Sequence, residues 1–183
     1  MAPDEHPPVA RILSTADRLF YEQGFGATGV NQIVVEAEVA KDSFYRHFPS
    51  KEDLVVAYLE NRHEAFSAEL SRSVEARRSP AKRVLALFDS TADWLQATDF
   101  RGCAFQNALA EFSNPESAPR QVVRKVKSEQ RAYITRLCSE AGHKSIGKQV
   151  FLLLEGAISQ AAIRRNDKPV CEARRAVKQW LAG

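Results

Sequence analysis

The chain has 183 residues, 44% of them hydrophobic and 27% charged, with a formal net charge of +3. That balance excludes a disordered or low-complexity chain and leaves ample material for a core. Only eight glycines and eight prolines interrupt long stretches of helical periodicity, which predicts an all-α fold of about nine helices.

Residues 1–8, with three prolines and no periodicity, read as a loose arm in which His6 is solvated. Helix 1 follows on Val9, Ile12, Leu13, Ala16, Leu19 and Phe20, and Gly24 stops it with Phe25 folding back. Helix 2 carries the stripe Val30, Ile33, Val34 and Ala37, with Thr28 as its expected N-cap. Glu38 and Val39 break the pattern. The next helix sets Phe44 and Phe48 at i and i+4, so both rings point the same way. Its opposite face holds Asp42, Ser43 and Arg46, with Tyr45 and His47 on the flanks. Two rings anchoring a helix whose outer side offers short polar groups and a guanidinium is the division needed to read base edges in a major groove.

Ser50 and Asp53 form a capping-box-like start to a long helix through Leu54, Val55, Tyr58, Leu59, Phe66 and Leu70 that meets no Gly or Pro before Ser79-Pro80. A helix from Pro80 presents Val84, Leu85, Leu87, Phe88, Ala92, Trp94 and Leu95 over a wide arc, predicting burial on more than one side. Residues 101–112 form a short apolar helix with Gln106 and Asn107. Another, from about 117 to 141, places Val122, Val126, Tyr133 and Leu137 together, with a basic outer face expected to be solvated. Residues 146–163 are apolar nearly all round, which predicts cover on two sides. The last helix has a single stripe, Val170, Ala173, Val177, Trp180 and Leu181.

The stretch from Thr28 to Leu54 resembles the N-terminal domain of the TetR (tetracycline-repressor) family. The matching positions are Thr28, Ile33, Ala37, Val39, Ser43, Phe44, Tyr45, His47, Phe48, Lys51, Glu52 and Leu54. It departs where the family prefers Gly, Ser and Gly, at Glu38, Ala40 and Asp42. A side chain at a positive-φ turn position costs on the order of 1 kcal/mol; Asp42 is placed to accept from a cytosine amino group. The resemblance implies an N-terminal arm and three-helix helix-turn-helix DNA-binding domain over 1–50, and a C-terminal helical ligand-binding and dimerisation domain over 51–183. It implies that Thr28, Tyr45 and Lys51 meet phosphates, while Lys41, Ser43, Arg46 and His47 touch bases or backbone. It also implies a pocket for a small-molecule effector among the middle helices, with Phe66, Phe88, Trp94, Phe105, Asn107, Phe112, Tyr133, Phe151 and Glu155 as candidate lining. The last two helices would pair with their copies in a homodimer. The function implied is a regulator, in the repressor sense, that sits on a near-palindromic double-stranded operator and is released by an inducer.

Charge tests this reading. Residues 1–58 carry five Lys or Arg against nine Asp or Glu, so the net positive charge lies elsewhere. Lys41, Arg46 and Lys51 nevertheless sit in or beside the proposed recognition helix, which predicts few phosphates neutralised and a shallow salt dependence. The acidic domain also keeps open a helical interaction module that no longer binds DNA. An enzyme is not expected: the four histidines are scattered, and no phosphate-cradling loop or zinc spacing occurs, so neither cofactor nor metal is implied. Cys103, Cys138 and Cys171 read as free thiols of a reducing cytoplasm, and Cys103 has only Arg101 as a nearby cation in sequence. The most apolar stretch, 150–163, is interrupted by Glu155, Ser159 and Gln160, so no membrane span is expected, and no secretory leader opens the chain.

Overall fold

The computed structural model describes residues 7–182; His6 and most of the expected N-terminal arm lie outside them. Among the described residues there are nine α-helices, one 3-10 turn at Lys144–Ile146, and no strand. They group into two compact units, residues up to 62 with 104–123, and residues 63–103 with 124–183. This differs from a division at residue 50. Leu54, Val55, Tyr58 and Leu59 are buried with the preceding helices, and the segment after Cys103 returns to the first unit.

The first unit contains α1 (Pro8–Gln23), α2 (Val30–Glu36), α3 (Lys41–His47), the first turns of α4 (Lys51–Glu75), α6 (Ala104–Glu111) and the start of α7 (Ala118–Glu140). Its core is the expected stripe of α1 (Ile12, Ala16, Leu19, Phe20) against Ile33, Phe44 and the buried face of α4. Phe20, Phe25 and Tyr58 form a mutual aromatic cluster with ring centroids 5.2 to 5.7 Å apart, tilted or edge-on as ring quadrupoles prefer. Gly24 ends α1 at φ 91°, its N–H closing on the Phe20 carbonyl. At the head of α4 the reciprocal cap forms: Ser50 N–H donates to Asp53 Oδ2 at 2.9 Å, and Asp53 N–H to Ser50 Oγ at 3.1 Å.

The second unit holds the rest of α4 and α7 together with α5 (Pro80–Ala97), α8 (Gly147–Arg164) and α9 (Lys168–Trp180). α9 lies against both α5 and α8, and Arg174 of α9 makes a two-pronged bond to Asp89 of α5. Gly147 lets α8 start hard against α7, since a Cβ there would lie 2.7 Å from Thr135 Cα. The buried stripe of α7 in this unit is Val126, Ile134, Leu137 and Cys138, with Tyr133 only at its edge. Burial pushes the Cys138 thiol up to about 11. α8 is covered on one side: Val150, Leu154, Ala157, Ile158 and Ala161 are buried, but Leu152 and Ile163 are 67% and 71% exposed. Trp180, expected in the buried stripe of α9, stands 40% exposed at its end.

Glu38, in the turn between α2 and α3, adopts φ 52°. An L side chain there is strained by roughly 1–2 kcal/mol, partly offset by the greater unfolded-state freedom of glycine. Glu38→Gly should therefore raise the unfolding free energy by up to about 1 kcal/mol, measured as a higher denaturant midpoint at unchanged slope.

Candidate nucleic-acid interface

α3 is only seven residues long, and its placement rests on Phe44, which is fully buried, and on Phe48, which caps the helix and is also buried. With that side committed to the core, the remaining side chains turn outward. Lys41, Asp42, Tyr45, Arg46 and His47 are exposed, and Ser43 is half-buried. Tyr45 packs the edge of its ring on Phe44 at 5.2 Å and leaves 43% of its surface open. Lys51, the first residue of α4, is half-buried beside a cleft of about 160 Å3 whose walls include Phe25, Val55 and Phe112.

The cations of the first unit are sorted between two tasks. Arg62 makes a two-pronged bond to Asp17 at 2.7 and 3.1 Å and stacks on the Tyr21 ring at 4.0 Å. Arg18 pairs with Glu36, and with Glu22 at 3.6 Å. The Arg18 bond, with a second from Gln32, holds the Glu36 carboxyl below its ordinary range. Lys41, Arg46 and Lys51 enter no ion pair among the described residues. Three of the nine acids are thus tied to arginines away from α3, while the lysines and arginine of the helix-turn-helix stay open.

Thr28 departs from expectation. The residue capping α2 is Gly29, without a side-chain bond. Thr28 is fully buried, and its hydroxyl donates to the Gly24 carbonyl at 2.8 Å and to that of Leu19 at 3.3 Å. It ties the last turn of α1 to the residue just beyond it and has no side-chain surface for a phosphate.

The nine candidate pocket residues do not assemble into one lining. Phe105, Asn107 and Phe112 belong to the first unit, the others to the second. Asn107 is exposed, and Phe112 faces Phe25 at 5.6 Å. Phe88 is sealed in the core of the second unit, and Glu155 accepts a 2.7 Å bond from Lys127. Phe151 is half-buried. Phe66 and Tyr133 do come together, lining a cleft of about 180 Å3 with His63, Leu70 and Glu129, and Trp94 packs behind Phe66 at 5.6 Å. In it Ser67 Oγ lies 3.2 Å from His63 Nδ1, and His63 Nε2 lies 2.9 Å from Glu129. Burial raises the Tyr133 phenol, opposed by a bond with Ser71.

Two side chains escaped the sequence reading. Lys127 brings a cation to 3.6 Å from Cys103 Sγ, where only Arg101 was visible in sequence. Glu111, at the end of α6, accepts hydrogen bonds from the Phe25 and Gly26 amides. The pair of glycines at 24 and 26 is the one sequence signal that hinted at a close approach.

The model for bacterial regulatory proteins of the tetR family matches residues 12–58, which span α1 to the head of α4. The HTH-type transcriptional regulator LmrA of Bacillus subtilis (strain 168) is 30% identical over 87% of this chain and 89% of its own. The crystal structure of SCO4454, a TetR-family transcriptional regulator from Streptomyces coelicolor, superposes with a TM-score of 0.88 at 28% identity over 96% of both chains. That of reduced Escherichia coli NemR gives 0.81 at 26% identity, over 94% of this chain and 96% of that one. A shared helix-turn-helix, a shared all-helical fold along nearly the whole length, and a 30% identical regulator place this chain in the TetR family of DNA-binding transcriptional regulators.

Proposed function

We propose that the chain acts in the cytoplasm as a repressor that binds a near-palindromic double-stranded operator as a homodimer and is released by a small-molecule effector. The observation that carries the DNA contact is the outward face of α3, where exposed Lys41, Tyr45, Arg46 and His47 stand opposite a buried Phe44 and no ion pair occupies the cations. Tyr45 and Lys51 meet phosphates, while Lys41, Ser43, Arg46 and His47 touch bases or backbone. Thr28 drops out of the set because its hydroxyl is spent inside.

A single seven-residue helix reads too few bases for a genomic address, and a two-fold pair placed ~34–36 Å apart reads enough. The open sides of α8 and α9, with Leu152, Ile163 and Trp180, supply the apolar surface that a second copy would cover. The effector is assigned to the cleft of Phe66 and Tyr133. Its volume falls below the 300–1,000 Å3 or so of drug-sized sites, so the effector it suits is small. Release follows if the effector binds more tightly to a state whose two α3 helices no longer match successive major grooves.

Selection of bound fragments from genomic DNA tests the reading: an inverted repeat supports it, and failure to retain any duplex would leave a helical interaction module. Arg46→Ala should lower discrimination by ~1–3 kcal/mol at one base position, if that guanidinium reads a guanine. Lys51→Ala should instead weaken all sequences alike and reduce the salt slope by about one; both are measured by titrating operator and variant duplexes over a range of salt. For the dimer, Leu152→Glu with Ile163→Glu should give a folded monomer in analytical ultracentrifugation, with operator affinity lost in parallel.

A further inference from the structure

We propose that Glu111 is a positioning residue for operator recognition: its carboxylate clasps the turn between α1 and α2 and fixes where the helix-turn-helix begins. The inference rests on the operator-binding reading above. Glu111 lies 86 residues beyond Phe25 in sequence, yet Oε1 accepts the Phe25 N–H at 3.0 Å and Oε2 accepts the Gly26 N–H. One carboxylate thus takes two adjacent amides, each in a charge-assisted bond stronger than one between neutral groups. The turn is hollowed to admit it. A Cβ at Gly24 would stand 2.9 Å from Oε1, and one at Gly26 would stand 3.2 Å from Oε2.

The clasp is held from both sides. Beyond it, the Phe112 ring rests on Phe25 at 5.6 Å, and Arg120 Nη1 donates to the Phe112 carbonyl at 2.8 Å, which fixes the end of α6. Before it, the Gly24 carbonyl accepts the Thr28 hydroxyl, and the next residue, Gly29, caps α2. Phe25, Gly26 and Thr28 are thus bonded in succession, with only exposed Ala27 between them, and a shift of Glu111 passes into the start of the helix-turn-helix.

The sign of the charge separates this role from simpler ones. Glu111 is an exposed anion in the DNA-binding unit and shares a cleft with Lys51. By charge alone, neutralising it tightens binding to every duplex. Positioning gives the opposite result for the operator only.

The test uses full-length wild type, Glu111→Ala and Glu111→Gln, titrated by fluorescence anisotropy against the selected operator and a scrambled duplex of equal length. Glu111→Ala should lose operator affinity about ten-fold, the size of one hydrogen bond to a charged group. Its scrambled-duplex affinity should be unchanged or higher, and the variant should remain folded at the titration temperature although its unfolding midpoint is lowered by the loss of the acceptor for the Phe25 amide. Glu111→Gln, with one carbonyl oxygen left to accept, should fall between. Amide exchange at Phe25 and Gly26 should accelerate in Glu111→Ala. Operator binding by both variants as tight as wild type or tighter overturns the proposal, as does a parallel loss on both duplexes with a lowered midpoint. A wild-type protein that retains neither duplex instead overturns the operator-binding reading beneath it.

Discussion

A seven-residue helix has no independent existence in water, where even favourable sequences need some 12–15 residues before helix outweighs coil. α3 exists because Phe44 and Phe48 are buried, and because the turn before it, strained at Glu38, is compensated by that burial. Sealing a Phe side chain away from water contributes about 1.5–3 kcal/mol, while the left-handed turn residue costs roughly 1–2 kcal/mol. The core wins, but not by a wide margin for one ring. Phe44 alone therefore does not place the helix; the rest of the first unit has to be rigid behind it.

That rigidity comes from the aromatic cluster. Phe20, Phe25 and Tyr58 join α1, the following turn and α4, and Phe112 extends the cluster from a segment far along the chain. Arg62 and Arg18 close the outside of the same unit by pairing with Asp17, Glu22 and Glu36. This pairing takes three acids out of the balance of residues 1–58, while exposed Glu38, Asp42, Glu52 and Asp53 remain beside Lys41, Arg46 and Lys51, in keeping with few phosphates neutralised. The field that a phosphate meets is set by which charges are open near α3, not by their sum over the domain.

Much of this was legible in the sequence, because it is written in periodicity. The stripe of α1, the outward and inward faces of α3, and the Ser50–Asp53 cap all depend on residues within one or two turns of each other. What failed depends on the path of a turn or on distance along the chain. Thr28 looked like a cap because threonine favours that position; its hydroxyl instead turns back to the Gly24 and Leu19 carbonyls, which the path of the turn and not the distance along the chain decides. Lys127 beside Cys103 joins residues 24 apart, on separate segments. The pocket candidates were grouped because the family resemblance implies a pocket among the middle helices, whereas Phe105, Asn107 and Phe112 follow the chain back into the first unit. Trp180 and one side of α8 were expected under cover and are exposed, because an apolar stripe in the sequence does not say what packs against it.

The return of residues 104–123 also changes what counts as the DNA-binding part of the molecule. A fragment ending at residue 62 would hold every residue that matches the family model, yet it would lack Phe112 over Phe25 and Glu111 on the turn amides. Those amides lie just past the end of α1, where the helix can no longer bond them; the Phe25 N–H is part-buried, and leaving such a group without an acceptor costs about 1–3 kcal/mol, whereas water can take over at exposed Gly26. For a unit of fewer than one hundred residues, whose net stability is only several kcal/mol, the loss of an aromatic neighbour and a carboxylate is a large fraction of the total. The helix-turn-helix signature is contiguous in sequence, but the structure that makes it a reader of DNA is assembled from two separate stretches of chain.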